Sequence, residues 1–212
     1  FLGMIIMGFG FIFFGMGMMS ESMNPLRSVS WFTELLGSLG TSPLKGVIFS
    51  TIFTAIIQSS GAVIGISIAL AMQGILSLPA AIVISFGANI GTCATALLAS
   101  IGSTREGKRV SIVHLLFNTL GVIIFLPFLE IYTEFIQKFS ALIGSASVSR
   151  SIANAHMFFN IINTIIFLPF TGKMAQLVEK LIPIAKKEKA EDFKPIYLVG
   201  EIKTASIALE QA

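Results

Sequence analysis

Gln58-Ser59-Ser60-Gly61 interrupts an apolar run from Pro43 to Gly74, and Gly87-Ala88-Asn89-Ile90-Gly91-Thr92 interrupts a second run from Leu78 to Ile101. Between Gly46 and Thr104 there is no Asp, Glu, Lys, Arg or His. Any chemistry in this stretch therefore rests on hydroxyls, carboxamides and the backbone. A helix that starts inside an apolar medium exposes unpaired N–H groups and the positive end of its dipole, which together attract an anion. A helix that stops there exposes carbonyl oxygens, which with Ser and Thr hydroxyls suit a hard cation such as sodium.

On that argument Ser59, Ser60 and Gly61 open one half-helix, and Asn89, Gly91 and Thr92 open another. Glycine at 61, 87 and 91 lets backbone approach a ligand. Gln58 and Asn89 can each donate and accept, which suits a site holding ions of both signs. Thr54, Gln58, Ser59, Asn89, Thr92 and Thr95 are the oxygen donors available to a cation. With no basic side chain nearby, a bound anion would need cations to offset its charge, which is a physical route to coupled binding. The bland alternatives are a polar kink packed against other helices for the first break and a packing or hinge role for the second.

The setting for these breaks is a membrane. Of 212 residues, 54% are hydrophobic and only 12% charged, with a mean hydropathy of +0.88, against about 25% charged in soluble domains. Five apolar stretches follow: Phe1–Met19, Pro43–Gly74, Leu78–Ile101, Val110–Leu129 and Ile152–Phe170. The first has no basic leader or small-residue cleavage site and reads as a transmembrane helix, with Gly3, Gly8, Gly10, Gly15 and Gly17 as surfaces for close helix contact. Ser20–Thr41 reads as a polar loop with Trp31 at the interface. At about 1.5 Å per residue neither flank of the first break covers a hydrocarbon core of roughly 30 Å, so a re-entrant hairpin fits Pro43–Gly74 better than one straight span.

The last two spans repeat each other. His114-Leu115-Leu116-Phe117-Asn118 leads to Leu126-Pro127-Phe128, and His156-Met157-Phe158-Phe159-Asn160 leads at the same spacing to Leu168-Pro169-Phe170. We read a small internal duplication. His114, Asn118, His156 and Asn160 are candidate supporting polar groups, either for hydrogen bonding between helices or for handling a proton or substrate. Nothing arranges Ser, His and acidic groups as a hydrolase or a metal centre, so no enzyme is expected. Cys93, the only cysteine, can form neither an internal disulfide nor a cysteine metal site.

Basic residues at Arg105, Lys108 and Arg109 and in the Lys-rich tail put both on the cytoplasmic side, with the Glu130–Arg150 loop outside. Half of the Lys and Arg lie beyond Gly172, interleaved with Glu and Asp. That pattern reads as a solvated tail, not a nucleic-acid surface. The expected organisation is a transmembrane unit over 1–172, a charged linker over 173–194 and the start of a further segment over 195–212.

The run Thr54 to Ala62, then Gly87-Ala88-Asn89-Ile90-Gly91-Thr92, then His114-x-x-Phe117-Asn118, resembles the type II sodium/phosphate cotransporter family and its bacterial relatives over about Phe1 to Phe170. The resemblance departs at Gly61, where the family usually has a third Ser, and at Cys93, where many members have Thr. It implies an all-α membrane protein: one half of an inverted-repeat transporter that carries inorganic phosphate with sodium as coupling ion, with no cofactor, at broken-helix tips near the membrane midplane. It also implies a second inverted repeat, supplied by a missing amino-terminal half or by another chain. The basic bias of the loops favours the missing half. Pro195–Ala212 resembles the opening helix of a PhoU-like domain. A passive ion or anion channel, or a non-transporting phosphate-sensing subunit, is the alternative built on the same backbone chemistry.

Overall fold

The computed structural model describes residues 1–23, 25, 28–144 and 147–183. The tail expected from 184 to 194 and the segment over 195–212 lie outside the described residues. Along the chain run α1 (Leu2–Met23), α2 (Ser30–Thr41), α3 (Pro43–Ile57), α4 (Ser60–Met72), α5 (Leu78–Ala99), α6 (Arg105–Phe125), α7 (Leu129–Leu142), α8 (Val148–Phe167) and α9 (Thr171–Leu181). Short 3₁₀ turns at Leu126–Phe128 and Leu168–Phe170 join α6 to α7 and α8 to α9. Among the described residues, four helices or helix pairs are long and apolar enough to cross a membrane: Leu2–Met19, Leu78–Ala99, Arg105–Leu142 and Val148–Leu181.

The centre of the fold is α5, whose residues from Ala80 to Asn89 are all buried. It is walled on one side by α3, which runs parallel to it. Gly46 meets Val83, the Thr51 hydroxyl donates to the Gly87 carbonyl at 3.2 Å, and Gly91 lies against Thr54. A methyl group at Gly91 would stand 2.5 Å from the Thr51 carbonyl oxygen and 2.6 Å from the Thr54 Cβ. One at Gly87 would collide with Ser50. Gly87-x-x-x-Gly91 on α5 thus faces Gly46-x-x-x-Ser50-x-x-x-Thr54 on α3, the small-residue spacing that lets membrane helices touch backbone to backbone.

This contact corrects the reading of the second break. Gly87–Thr92 does not break α5, which is helical from Leu78 to Ala99. The glycines there make room for α3 and do not start a half-helix. The first break is real: α3 ends at Ile57 and α4 begins at Ser60. Phe49 and Phe53 of α3 and Val63, Ser67 and Leu70 of α4 line one cavity of about 100 Å³, so the two arms pack side by side as a hairpin. After Gln73 the chain turns back through Gly74, at φ 71°, into α5.

Several loops expected from polarity are helices. Ser30–Thr41 forms α2, which buries Leu36 and Leu39 and meets α3 at a bend of 118°. The loop expected over Glu130–Arg150 is mostly α7, whose Leu129, Tyr132, Thr133, Ile136 and Ser140 form a buried helical stripe. The boundary expected after Gly172 falls inside α9, held by buried Met174 and Val178. In α1 the five glycines make no close helix contact: nothing among the described residues lies within 4 Å of a Cβ built on any of them. Arg109 donates to the Ile182 carbonyl at 2.9 and 3.0 Å and Arg105 to that of Pro183. The basic loop and the end of α9 are thereby fixed on one side of the molecule.

The internal duplication is a three-dimensional one. Both copies are a helix, a Leu-Pro-Phe 3₁₀ turn and a second helix. Asn118 and Asn160 make the same bond, Nδ2 to the carbonyl four residues back, at 3.0 and 2.8 Å. Contacts between the copies are reciprocal. The Phe117 ring meets Phe167 at 5.5 Å, and the equivalent pair, Phe125 and Phe159, meets at 5.0 Å. Gly121 and Asn163, which occupy one position of the repeat, touch each other. Equivalent positions in contact, flanked by exchanged pairs, define a pseudo-two-fold axis across two antiparallel helices. Gly91→Val overpacks the α3–α5 contact and is expected to lower the melting temperature of the detergent-solubilised protein by the equivalent of about 1–3 kcal/mol or more. Gly61→Ala, with open space around it, leaves it nearly unchanged.

Candidate functional site

The hairpin tip is built by two opposed caps. Gln58 closes α3 in the left-handed region, φ 58° and ψ 24°, and its N–H donates to the Thr54 carbonyl at 2.7 Å. It is the only non-glycine residue at positive φ among the described residues, a conformation that costs energy outside Gly and Asn. Ser59 then caps α4: its Oγ accepts from the Ala62 N–H at 3.2 Å and its carbonyl accepts from Val63. The carbonyl end of one dipole and the amide end of another so meet within two residues. The amides of Ser60 and Gly61 are left outside the cap, and Gln58, Ser59 and Gly61 are exposed beside Ile56, Ile57 and Phe53. Among the described residues nothing lies within 4 Å of a Cβ built on Gly61.

Of the other expected residues, the tip gathers some and not others. The α3–α5 register advances Gly46–Val83, Thr51–Gly87, Thr54–Gly91. One more turn sets Gln58 opposite Thr95, past the middle of α5 and four residues from its end at Ala99. Thr54 is fully buried under the tip, and its Oγ1 has no hydrogen-bond partner among the described residues. A hydroxyl left unpaired in such a place costs about 1–3 kcal/mol.

Asn89 lies elsewhere. Gly87 and Gly91 face α3, whereas Asn89 shares a stripe with Ser85 and Cys93 on the opposite side of α5. Its Nδ2 donates to the Ser85 carbonyl at 3.0 Å. Thr92 Oγ1 donates to Ala88 at 2.8 Å, and Gly91 is taken up in packing. The Asn89 stripe meets the duplicated helices. Ser85 Oγ stands 3.0 Å from His156 Nδ1, and the Cys93 sulfur is 3.5 Å from both the His114 carbonyl and Asn118 Nδ2. His156, Asn118 and Cys93 thus tie α5 to α8 and α6, as interhelical hydrogen bonds do. Asn160 turns back on its own helix. Ser85, Ser50 and the role of Thr54 as a buried, unpaired donor were missed in the sequence. The i, i+4 spacing of Ser85, Asn89 and Cys93 was the signal for the first.

Residues 12–152 match the family model described as Na+/Pi-cotransporter. The chain belongs to that family. The uncharacterized protein YqeW of Bacillus subtilis is 34% identical over 139 residues, 66% of this chain and 45% of that protein. The putative inorganic phosphate export protein YjbB of Escherichia coli K12 is 28% identical over 139 residues, 66% of this chain and 26% of that one. The human sodium-dependent phosphate transport protein 2B is 32% identical over 111 residues, 50% of this chain and 16% of that one. The chain thus spans less than half the length of these relatives. No solved structure matches it.

All of α3, the tip, α4 and α5 lie within the family match. Thr54→Val removes the unpaired hydroxyl at nearly constant volume, and in choline chloride the expected melting temperature is unchanged or higher. Ser59→Ala, which removes a cap, is expected to cost about 1 kcal/mol. A Thr54→Val protein that melts well below the parent in both sodium and choline chloride would show that the hydroxyl has a structural partner.

Proposed function

We propose that this chain is one repeat of a sodium-coupled phosphate transporter of the multi-pass membrane class, and that the α3–α4 tip holds phosphate and sodium. The observation that carries the reading is the left-handed break at Gln58, which brings an α-helix carboxyl end and an α-helix amino end together at one exposed point. Phosphate is bound by the Ser60 and Gly61 amides with the Ser59 and Ser60 hydroxyls, at the positive end of α4. Sodium is bound at the other end of the break, by the last carbonyls of α3 with Thr54 Oγ1 and with Gln58 and Thr95. The burial of an unpaired Thr54 hydroxyl directly under those carbonyls supports this half of the site.

Charge sets the coupling. Gly46 to Thr104 holds no basic residue, so a phosphate brought to the tip carries its charge into a medium that penalises it. Sodium at the carboxyl end of α3 offsets it within a few ångströms. A second repeat, facing the exposed tip, completes the site, and rocking of the repeats exposes it to either side. Asn89 and Thr92 are not ligands in this reading, and the histidines are not proton carriers; His156 bonds Ser85 and so holds α8 against α5.

Two measurements test the proposal. In proteoliposomes containing the whole transporter, radiolabelled phosphate is expected to accumulate only under an inward sodium gradient, and Ser60→Ala or Gln58→Ala to lower that uptake at least about tenfold, a loss of one or two strong hydrogen bonds to a charged ligand. Full uptake in both variants would reject the tip as the site; flux without sodium would favour a channel, and binding without flux a sensor. Separately, sodium is expected to raise the melting temperature relative to choline by mass action, and Thr54→Val to abolish that rise while leaving the choline value intact.

A further inference from the structure

The pseudo-two-fold axis relating α6–α7 to α8–α9 leaves one pair of equivalent sites in different states. On the α8 side, Phe86 of α5 sits among Phe125, Tyr132 and Phe159, with ring centroids 6.1, 5.9 and 5.0 Å away. The residue before it, Ser85, meets His156 at 3.0 Å. The repeat places Phe125, Tyr132, Phe159 and His156 in register with Phe167, Met174, Phe117 and His114. Those four counterparts line a single open groove of about 370 Å³ between α6, α8 and α9. Nothing in the described residues enters it as Phe86 enters its counterpart.

We propose that this groove is the seat of a transmembrane helix from outside residues 1–183, belonging to the second repeat, which inserts a large apolar side chain among Phe117, Phe167 and Met174 and presents a hydroxyl to His114. The inference rests on the reading that a second repeat completes the transporter. Two observations select a helix over a lipid chain. The counterpart site is filled by a hydroxyl and an aromatic ring at adjacent positions of a helix. In addition, the His114 ring forms no hydrogen bond among the described residues, and an acyl chain offers it none, whereas a polar group facing hydrocarbon without a partner is costly. A second copy of α5 cannot be the occupant, because Ser85 and Phe86 are each only 1% exposed within their own subunit. Relatives that this chain covers over 45% and 26% of their length contain chain enough to supply the helix.

A photoreactive benzoylphenylalanine at Met174 in the full-length protein, irradiated in native membranes and read by peptide mass spectrometry, tests the seat. The expected product joins position 174 to an apolar segment outside residues 1–183. The same probe at Ile165, 65% exposed, is expected to give phospholipid adducts. Should the Met174 variant fail to accumulate, Ala175, exposed at the mouth of the groove, carries the probe instead. Met174→Trp fills the cradle and is expected to reduce the Ala175 cross-link about tenfold by overpacking, whereas Ile165→Trp leaves it unchanged. Phospholipid adducts alone, or cross-links confined to residues 1–183, overturn the proposal. Because the readout needs no sodium gradient, loss of the cross-link with intact flux condemns the seat and spares the transport reading, and the reverse result does the opposite.

Discussion

Hydrocarbon does not hydrogen-bond, so a chain that breaks its helix there must find partners for the loose amides and carbonyls or bring the break to a polar site. Close packing of α3 on α5 holds such a break in place. Three glycines, Gly46, Gly87 and Gly91, strip the contact of side chains until carbonyls and hydroxyls of one helix lie on the backbone of the other. The contact fixes the height of α3 along α5 to within a turn, and so fixes where the hairpin ends. Larger residues at these positions would push the arm away and leave the tip without a defined depth.

Given that anchor, the polarity of the tip follows from the caps. Gln58 in the left-handed region stops α3 abruptly, and Ser59 restarts the chain as α4 with one side-chain bond. Opposite dipole ends then lie next to each other, which neither a straight helix nor a smooth bend can arrange. The strain stored at Gln58 is held by the tertiary contact on one side and by the cap on the other. It falls at the point where the family resemblance also concentrates, which is where strained backbone tends to be functional.

The remaining helices form a frame around this unit. The antiparallel pair α6–α7 and α8–α9 is a duplication closed on itself by reciprocal aromatic contacts, and the Ser85, Asn89 and Cys93 stripe of α5 is tied to it by hydrogen bonds. The same helix therefore carries small residues toward the hairpin and polar residues toward the duplicated pair. Movement of the hairpin relative to the frame would have to pass through α5 and through the direct contact of α4 with α8.

The amino-acid sequence by itself determined the membrane class, the family, the break at Gln58–Ser60 and the two copies of His-x-x-x-Asn ending in Leu-Pro-Phe, because each depends on local composition and short-range spacing. It misassigned Gly87–Thr92, since a glycine that permits a break and a glycine that permits contact look alike until the neighbour is known. It also read α2 and α7 as loops, because amphipathic helices with a polar face dilute the hydropathy that marks a span. Only the tertiary structure decided that Asn89 turns away from Gln58, that Thr54 is buried without a partner among the described residues, and that the duplicated helices face each other across a pseudo-two-fold axis. Each of these is a relation between residues far apart in the chain, set by which helix faces pack together, and local periodicity does not encode it.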